Sequence, residues 1–182
     1  MRIIGLIGGT SWLSTLEYYR LINQTINECM GGMHSAKILI YSVDQEEYNV
    51  DGAIDWTEVS TKLSAIAKAL EHAGADCLLI CANTLHIVSD SIQRAIQIPL
   101  IHIAEETSNE IRSRKMSQVG LLGTRTTMEH PYFKERLSRH EINTIVPSEE
   151  DRHFIKSSIY SELSKGILKK ETRDRYIAII DD

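Results

Sequence analysis

The sequence predicts an α/β fold, a mostly parallel sheet with helices on both faces. Short apolar runs alternate with longer segments of helical periodicity along the 182 residues, and glycine turns follow two of these runs, at residues 8–9 and 123. Strands joined by intervening helices run parallel and are buried on both faces. That burial explains why the runs are apolar throughout instead of alternating with polar residues.

The first half of the chain contains four predicted strands and three helices. The strands are "RIIGLIG", "AKILIYSV", "DCLLICA" and "IPLIHI", and the helices are expected over 14–29, 56–72 and 85–96. Apolar residues lie on one side of the first helix at Leu16, Tyr19, Ile22 and Ile26, and on one side of the second at Val59, Leu63, Ile66, Ala67 and Leu70. The second helix should end at Gly74, because glycine favours the position after a helix.

The second half begins the same alternation again. We expect a helix over 104–115, a strand at "QVGLLG", a helix over 127–139, a strand at "INTIVP" and two helices after residue 149. The expected domains are therefore 1–103 and 104–182. The segment "IGLIGGTSWLSTLEYYRLI" (4–22) resembles "VGLLGTRTTMEHPYFKERL" (119–137). Either a duplication or independent use of one strand-turn-helix solution explains this match.

Composition argues against several classes of function. The formal net charge is −5, and lysine and arginine are scattered, so no basic surface for nucleic acid is expected. No apolar stretch approaches the ~20 residues of a membrane span, and no secretory signal precedes the first strand. The three cysteines, Cys29, Cys77 and Cys81, form no disulfide framework, which indicates a reducing, cytoplasmic setting.

Motifs for nucleotides and metals are also missing. Gly5, Gly8 and Gly9 lack the G-x-G-x-x-G spacing of a dinucleotide site, and there is no P-loop. The seven histidines are dispersed, so no metal site is expected. His86 and His102 are interpreted as local hydrogen-bonding residues.

A ligand site is expected beyond the carboxyl ends of the strands, as in other open α/β sheets. Three segments should meet there, each with hydroxyl groups at the start of a helix: 8–11, 81–84 and 123–127. Helix N-termini bind anions, so a small dicarboxylate or an amino acid is the expected ligand. Thr10, Thr84 and Thr124 are equally interpretable as helix caps and nothing more.

The stretch "LLICANTLH" raises a question about Cys81, which ends an apolar run and precedes polar residues. Free cysteine is among the most buried residue types, so Cys81 could be a small core residue. Alternatively, it lies at a strand end facing a helix N-terminus that lowers the pKa of its thiol.

Four motifs carry a family resemblance: "GLIGGTSWLSTLEYYRLIN", "HSAKILIYSVD", "CANTLH" and "VGLLGTRTTMEHPYFKERL". Together they resemble the aspartate/glutamate racemases, which invert amino acids without pyridoxal phosphate or another cofactor. The resemblance implies two similar parallel-sheet α/β domains related by a pseudo-twofold axis, with the active site between them. It also implies two thiols on opposite faces of the substrate Cα, one removing a proton and the other delivering one.

When the family's functional residues are transferred to the matching positions of this sequence, the resemblance implies that Cys81 is the first catalytic thiol. On this resemblance Asn83 and Thr84 hold the α-carboxylate, and Thr10 and Thr124 line the cleft. Ser11 and Thr127 are further substrate-binding residues. Cys29 and Cys77 are then expected in the core. A homodimer is also expected on the resemblance.

Some features depart from the family pattern. The loop "DQEEYNVDG" is acidic where aspartate-specific members carry a basic residue, and Phe154 replaces a frequent lysine, with Lys156 two residues on, so the amino-acid substrate stays open. No cysteine follows Cys81, and the sequence ends at Asp182, before the G-C-T-E turn that carries the second thiol in the family. The second domain is therefore expected to be incomplete at its C-terminus, and the alternative function is a carboxylate-binding protein with impaired catalysis.

Overall fold

A computed structural model describes residues 1–50 and 53–182 of the chain. These residues form two compact units, Met1–Ile103 and Ala104–Asp182. Each unit contains a parallel sheet with helices, which confirms the predicted α/β class.

The first unit is built on a four-stranded sheet. Its elements in chain order are β1 (Ile3–Gly8), α1 (Trp12–Met30), β2 (Lys37–Ser42), a 3-10 helix (Gln45–Tyr48), β3 (Asn49–Val50), β4 (Ala53–Ile54), α2 (Trp56–His72), β5 (Cys77–Ile80), a 3-10 helix (Thr84–Val88), α3 (Ser89–Ala95) and β6 (Leu100–Ile101). The four strands of the sheet are parallel and follow the order β2-β1-β5-β6. The short strands β3 and β4 form a separate antiparallel pair.

Helix α2 supplies much of the core of this unit, and its predicted limits and buried side are confirmed. Its N-terminus is capped by the Asp55 carboxylate, which accepts hydrogen bonds from the backbone N–H groups of Thr57 (2.8 Å) and Glu58 (3.2 Å). Gly74 follows the helix with φ +99°. The buried side chains are the predicted five, Val59, Leu63, Ile66, Ala67 and Leu70. Burying each large aliphatic side chain is worth roughly 1.5–3 kcal/mol.

Helix α1 buries a different face from the one that the sequence predicts. Leu16 and Tyr19 are 53% and 48% exposed, whereas Thr15 is buried and Tyr18 is half-buried. The predicted Ile22 and Ile26 are half-buried. Polar residues occupy the inner face near the N-terminus because they bond to neighbouring backbone there, and this masks the apolar pattern.

Three further predictions for the first unit need correction. The helix expected over 85–96 is divided into the 3-10 helix Thr84–Val88 and α3. The strand "IPLIHI" pairs only over Leu100–Ile101. The polar loop "DQEEYNVDG" contains the 3-10 helix Gln45–Tyr48 and β3, and its last two residues lie outside the described residues.

The second unit is mainly helical around a two-stranded parallel sheet. Its elements are α4 (Ile103–Ser113), which starts one residue before the unit, β7 (Gln118–Gly120), α5 (Arg125–Glu129), α6 (Pro131–Ser138), β8 (Asn143–Ile145), α7 (Glu149–Ser161), a 3-10 helix (Leu163–Lys165) and α8 (Lys170–Asp181). The helix predicted over 127–139 is two helices, because Pro131 has no N–H to continue the hydrogen-bond ladder. Proline is favoured at the first position of a new helix, which is where α6 begins.

The two units share a local pattern at their first strands. Each first strand ends at glycine, a hydroxyl residue caps the next helix, and the following strand pairs parallel with the first. The caps are Ser11 and Thr124, whose hydroxyls accept hydrogen bonds from the N–H groups of Ser14 (3.4 Å) and Thr127 (3.2 Å). β1 ends at Gly8, three positions before Ser11, whereas β7 ends at Gly120, four positions before Thr124, so the two caps align only with a gap. The pattern is consistent with either explanation of the internal similarity.

Candidate active site

The carboxyl ends of β1 and β5 lie side by side in the first unit. The chain passes from β1 to β2 on one side and returns to β5 on the other, so the order of the sheet reverses between β1 and β5. Ligands of open α/β sheets bind at this switch point. The sequence placed residues 8–11 and 81–84 at strand ends, and the structure brings these two segments together there. The Cys81 N–H donates to the Ile7 carbonyl at 2.9 Å, and the Ser14 hydroxyl lies 2.8 Å from the carbonyls of both Ser11 and Cys81.

The Cys81 thiol is held in a buried setting at the end of β5. The residue is 1% exposed, and burial raises the pKa of its thiol to about 12. The expected lowering of this pKa by a helix N-terminus is therefore wrong: only a short 3-10 helix follows, and loss of hydration disfavours the thiolate. Both interpretations of Cys81 hold in part, since it is a buried residue and it lies at the strand end.

The turn after Cys81 presents Asn83 and Thr84 differently. Asn83 is exposed, and its side chain does not cap the 3-10 helix, although its carbonyl accepts from the His86 N–H at 3.0 Å. Thr84 is half-buried and is the first residue of that helix. The exposed amide of Asn83 is thus available to a ligand at the switch point.

His86 fixes the shape of this turn. Its ring Nδ1 lies 2.8 Å from the Ala82 carbonyl, and its Nε2 lies 3.4 Å from the backbone N–H of Ile103. A carbonyl only accepts, so Nδ1 carries the proton and Nε2 accepts the Ile103 N–H. The buried His102 ring packs edge-on against His86 with centroids 4.5 Å apart. The interpretation of His86 as a local hydrogen-bonding residue is confirmed.

The turn after β1 is built by two glycines and the hydroxyl of Thr15. Gly9 has φ +97°, and a Cβ there would lie 2.1 Å from the Val43 carbonyl oxygen. A Cβ on Gly8 would lie within 2.5 Å of the Thr15 side chain, whose Oγ1 accepts from the Gly9 N–H at 3.0 Å. No larger residue fits at either glycine without moving the turn.

Thr10 and Ser11 have different roles in that turn. Ser11 caps α1, so the capping interpretation of Thr10 is wrong. The Thr10 hydroxyl oxygen is buried and has no hydrogen-bond partner among the described residues. An unpaired buried hydroxyl is unfavourable, so Thr10 is a candidate for contact with a bound ligand.

The third expected segment belongs to the second unit. Thr124 caps α5, as one interpretation expected, and its Oγ1 lies 3.0 Å from that of Thr127. Thr127 is 2% exposed, and its hydroxyl also lies 3.2 Å from the Tyr132 hydroxyl. Burial raises the pKa of Tyr132 to about 12, so the phenol stays protonated. Thr127 therefore orients Thr124 within this unit.

Sequence reasoning missed two residues of α1 next to Cys81. The Ser14 hydroxyl lies 2.8 Å from the Cys81 carbonyl and 2.8 Å from that of Ser11, so its single proton can be donated to one of them at a time. Tyr18 follows one turn later on the same helix face. The spacing of Ser14 and Tyr18 was visible in the sequence, but the incorrect choice of the inner face concealed it.

The other two cysteines lie away from this site. Cys77 is half-buried at the start of β5, and burial, followed by the charge of Asp76, raises the pKa of its thiol. Cys29 is exposed near the end of α1, so the expectation that it is a core residue is wrong.

Within residues 1–50 and 53–182, no three His, Cys, Asp or Glu side chains cluster as a metal site would require. None of the helices in these ranges is long and apolar enough to cross a membrane.

Comparison with known proteins identifies the family. The sequence profile of the Asp/Glu/hydantoin racemase family matches residues 7–182. The chain belongs to this racemase family. Broad specificity amino-acid racemase RacX of Bacillus subtilis (strain 168) is 29% identical to this family member over 141 residues, which cover 74% of the chain and 60% of RacX. The chain thus matches less than two thirds of the length of that curated relative.

Solved structures of racemase-family proteins share the fold. A candidate Asp/Glu racemase from Yersinia pestis superposes with a TM-score of 0.90 at 44% identity, covering 100% of this chain and 80% of that one. An aspartate racemase homologue from Pyrococcus horikoshii OT3 superposes with a TM-score of 0.85 at 33% identity. The match covers 100% of this chain and 79% of that one. The resemblance of the sequence to this racemase family is thereby confirmed.

Proposed function

We propose that this chain is an amino-acid racemase in which the Cys81 thiolate removes the Cα proton of the substrate. The observation that carries the proposal is the position of Cys81 at the switch point, beside the glycine turn of β1. Membership of the racemase family supports the reaction class.

The proton abstraction needs only the Cys81 side chain. Proton transfer breaks the Cα–H bond and forms the Cys81 S–H bond, and the remaining electron pair delocalises into the α-carboxylate. Return of the proton from Cys81 restores the original enantiomer, whereas delivery from the opposite face inverts it. Inversion therefore needs a second acid, and no pyridoxal phosphate takes part in the proposed reaction.

Burial of Cys81 sets the balance between its two forms. With a thiol pKa of about 12, the resting residue is protonated, and only its thiolate fraction can remove the Cα proton. The small thiolate fraction is a correspondingly strong base, because poor solvation makes proton uptake favourable.

The proposed substrate contacts lie in the turns that follow β1 and β5. Asn83 and Thr84 would hold the α-carboxylate, and Thr10 and Ser11 would contact the substrate from the turn after β1. For Thr124 and Thr127, which belong to the second unit and whose hydroxyls lie 3.0 Å apart, a substrate-binding role is proposed on the family resemblance alone. The substrate is an amino acid of the aspartate or glutamate type or a related one.

Deuterium exchange tests this function directly. The 182-residue chain is incubated in D2O with the L and D forms of aspartate, glutamate and a panel of neutral amino acids, and Cα–H loss is followed by NMR. We expect Cys81→Ser to slow exchange by at least about 100-fold, the scale of a lost acid–base group. Cys29→Ser, at the exposed cysteine, is the matched control and should exchange normally. Exchange by Cys81→Ser at the unaltered rate would rule the proposal out.

A second candidate is a carboxylate-binding protein with impaired catalysis. It is favoured by one observation: the sequence has three cysteines, at 29, 77 and 81, and only Cys81 follows the carboxyl end of a strand. Chiral chromatography of the same samples separates the candidates. Exchange with inversion supports the racemase, exchange without inversion supports a one-base remnant, and binding without exchange supports the second candidate.

We also propose that the protein is a homodimer that works in the cytoplasm. The cytoplasmic setting is supported by the three unpaired cysteines. The dimer rests on the family resemblance, and a monomeric mass by light scattering under reducing conditions would remove it.

A further inference from the structure

The two flanks of α1 face different parts of the first unit. The Ser14 hydroxyl, 2.8 Å from the Cys81 carbonyl, marks the flank directed to β5. Asn23 lies nine positions later, about two and a half helical turns, so it points to the opposite flank. There its side chain accepts a hydrogen bond from the Ala36 N–H, just before β2, at 3.0 Å. The Asn23 flank therefore lies beside β2, away from the proposed catalytic thiol.

This flank of α1 is apolar and exposed. Trp12, Leu16 and Tyr19 share the side of Asn23 by their helical spacing, and they are 59%, 53% and 48% exposed. Large apolar side chains grouped on one exposed surface mark an interaction site.

The adjoining strand β2 is an open edge of the sheet. It pairs with β1 alone among the described strands, and its Ile40 and Tyr41 are 44% and 46% exposed. Native proteins protect such edges with charged residues or proline, but residues 38–43 contain neither. The outward N–H and C=O groups of β2 are thus open to pairing with another strand.

Ile40 connects this edge to the apolar flank. Gly8 faces Thr15 of α1, and the strand register points Ile40 to the same side of the sheet as Gly8. Leu16 lies about 10 Å along α1 from the hydrogen bond at the start of β2, and Ile40 lies about 13 Å along β2 from it. Because a helix that connects parallel strands runs back along them, Leu16 and Ile40 lie at a similar level.

We propose that β2 and the apolar flank of α1 dock on a second copy of this chain, with the two β2 strands paired antiparallel about a twofold axis. This inference names the interface of the homodimer proposed above and rests on that proposal. A twofold contact uses the same surface on both copies. An axis through Ile40 places that residue opposite its own copy and Leu39 opposite Tyr41, so apolar residues meet along the strand.

The charges at the two ends of β2 complement this arrangement. Lys37 begins the strand, and an acidic segment follows it at Asp44, Glu46 and Glu47, all exposed. Antiparallel pairing about Ile40 brings Lys37 opposite position 43 of the second copy, next to its Asp44. Parallel pairing would instead place the two lysines side by side.

The surface is large enough for a stable pair. A half-exposed aromatic side chain offers about 100 Å², and each copy contributes three, at Trp12, Tyr19 and Tyr41. These side chains of the two copies amount to about 600 Å², and Leu16, Ile40 and the paired strands bring the total near the ~1,000 Å² of a specific interface.

The test compares Ile40→Lys with Ile54→Lys, which places the same charge at a similarly exposed isoleucine (41%). Ile54 belongs to the separate pair of β3 and β4. Sedimentation equilibrium of the full chain under reducing conditions gives the dissociation constant of the dimer. We expect Ile40→Lys to raise this constant at least about 30-fold, the scale of one central interface residue, and Ile54→Lys to leave it unchanged.

Charge reversal tests the antiparallel pairing. Lys37→Glu should weaken the dimer, because the new carboxylate meets Asp44 of the second copy, and Lys37→Glu combined with Asp44→Lys should restore it. A double variant that dissociates as readily as Lys37→Glu would overturn this pairing.

The outcomes separate this interface from the other proposals. A monomeric unaltered chain overturns the interface together with the homodimer. A dimer that withstands Ile40→Lys, or one that Ile54→Lys weakens equally, overturns the interface alone, because the copies then meet elsewhere. Deuterium exchange is scored in the same samples, so failure of the racemase proposal appears as absent exchange with the dimer intact.

Discussion

Cys81 combines two properties that usually exclude each other, since it is 1% exposed and is proposed to react. Reactive cysteines commonly have a lowered pKa in a partly exposed, positively charged setting. Here burial raises the pKa of Cys81 to about 12, so few molecules hold the thiolate at neutral pH. The proposed base is therefore strong but scarce.

The pH dependence of deuterium exchange should follow from this scarcity. Because the deprotonated form reacts and its pKa is about 12, the thiolate fraction grows tenfold for each pH unit below that value. We expect the exchange rate of a saturated enzyme to rise about 10-fold per unit between pH 7 and 9. A plateau near neutral pH would contradict a raised thiol pKa in the working enzyme.

Ionisation of Cys81 should also lower the stability of the fold, so the free energy of unfolding should fall with rising pH while the exchange rate rises. A cysteine in the unfolded chain ionises near its ordinary pKa of 9.0, whereas folded Cys81 holds its proton to about 12. The folded state therefore binds more protons in this window, and the stabilisation, complete below pH 9, is lost as pH rises through 12. Urea unfolding should show Cys81→Ala losing less stability than the unaltered chain between pH 8 and 10.

At the scale of elements, the turn from β1 to α1 is the most constrained. Gly9→Ala would place a Cβ 2.1 Å from the Val43 carbonyl at φ +97°. We expect it to lower the free energy of unfolding by more than about 2 kcal/mol, through strain and collision with the backbone. Gly32→Ala, at φ +58° with open space around it, is the matched control. Its expected cost is about 1 kcal/mol. Equal costs for the two changes in urea unfolding would show that the turn can move.

The link between α1 and β5 can be tested through Ser14. Ser14→Ala removes the hydroxyl that bonds the Cys81 carbonyl and should destabilise the first unit by about 1 kcal/mol. Thr25→Ala is the control on the same helix, because its exposed hydroxyl bonds only the Leu21 carbonyl one turn back. Thermal unfolding of the two variants should differ, and identical midpoints would mean that the Ser14 contact adds no stability.

Elements whose inner faces are apolar could be predicted from the sequence, and those with polar inner faces could not. In α2 the apolar spacing and Gly74 predicted both ends correctly, and the structure adds the Asp55 cap. In α1 the inward positions near the N-terminus are Ser14, Thr15 and Tyr18, and the first two bind backbone instead of packing as hydrocarbon. Hydrophobic periodicity carries no information about such contacts.

The same limit applies to the candidate site. Cys81 was visible as the end of an apolar run, and the glycine turn as a break in one. The choice between a buried thiol and one with a lowered pKa could not be made from the sequence, because it depends on the elements that pack around Cys81 in the fold. A full α-helix was expected after Cys81, and the chain forms a five-residue 3-10 helix there.

At the scale of the whole molecule, the two units should differ in local stability. In the first unit β1 pairs on both sides, with β2 and β5, whereas β7 pairs with β8 alone among the described strands. Two-stranded sheets depend on their helices for stability. We expect native-state hydrogen exchange of the β7 amides to be at least about 10-fold faster than that of the β1 amides. Equal protection of both strands would show that the units open together.

The exposed Cys29 on α1 affects how any preparation of this protein behaves on storage. Air oxidation would link two molecules by a disulfide bond between their exposed Cys29 thiols, whereas the buried Cys81 would stay reduced. The covalent pair would have twice the mass of the chain and could be mistaken for a native dimer on a sizing column. A Cys29→Ser sample, or a gel run with and without reductant, distinguishes the artefact from genuine assembly.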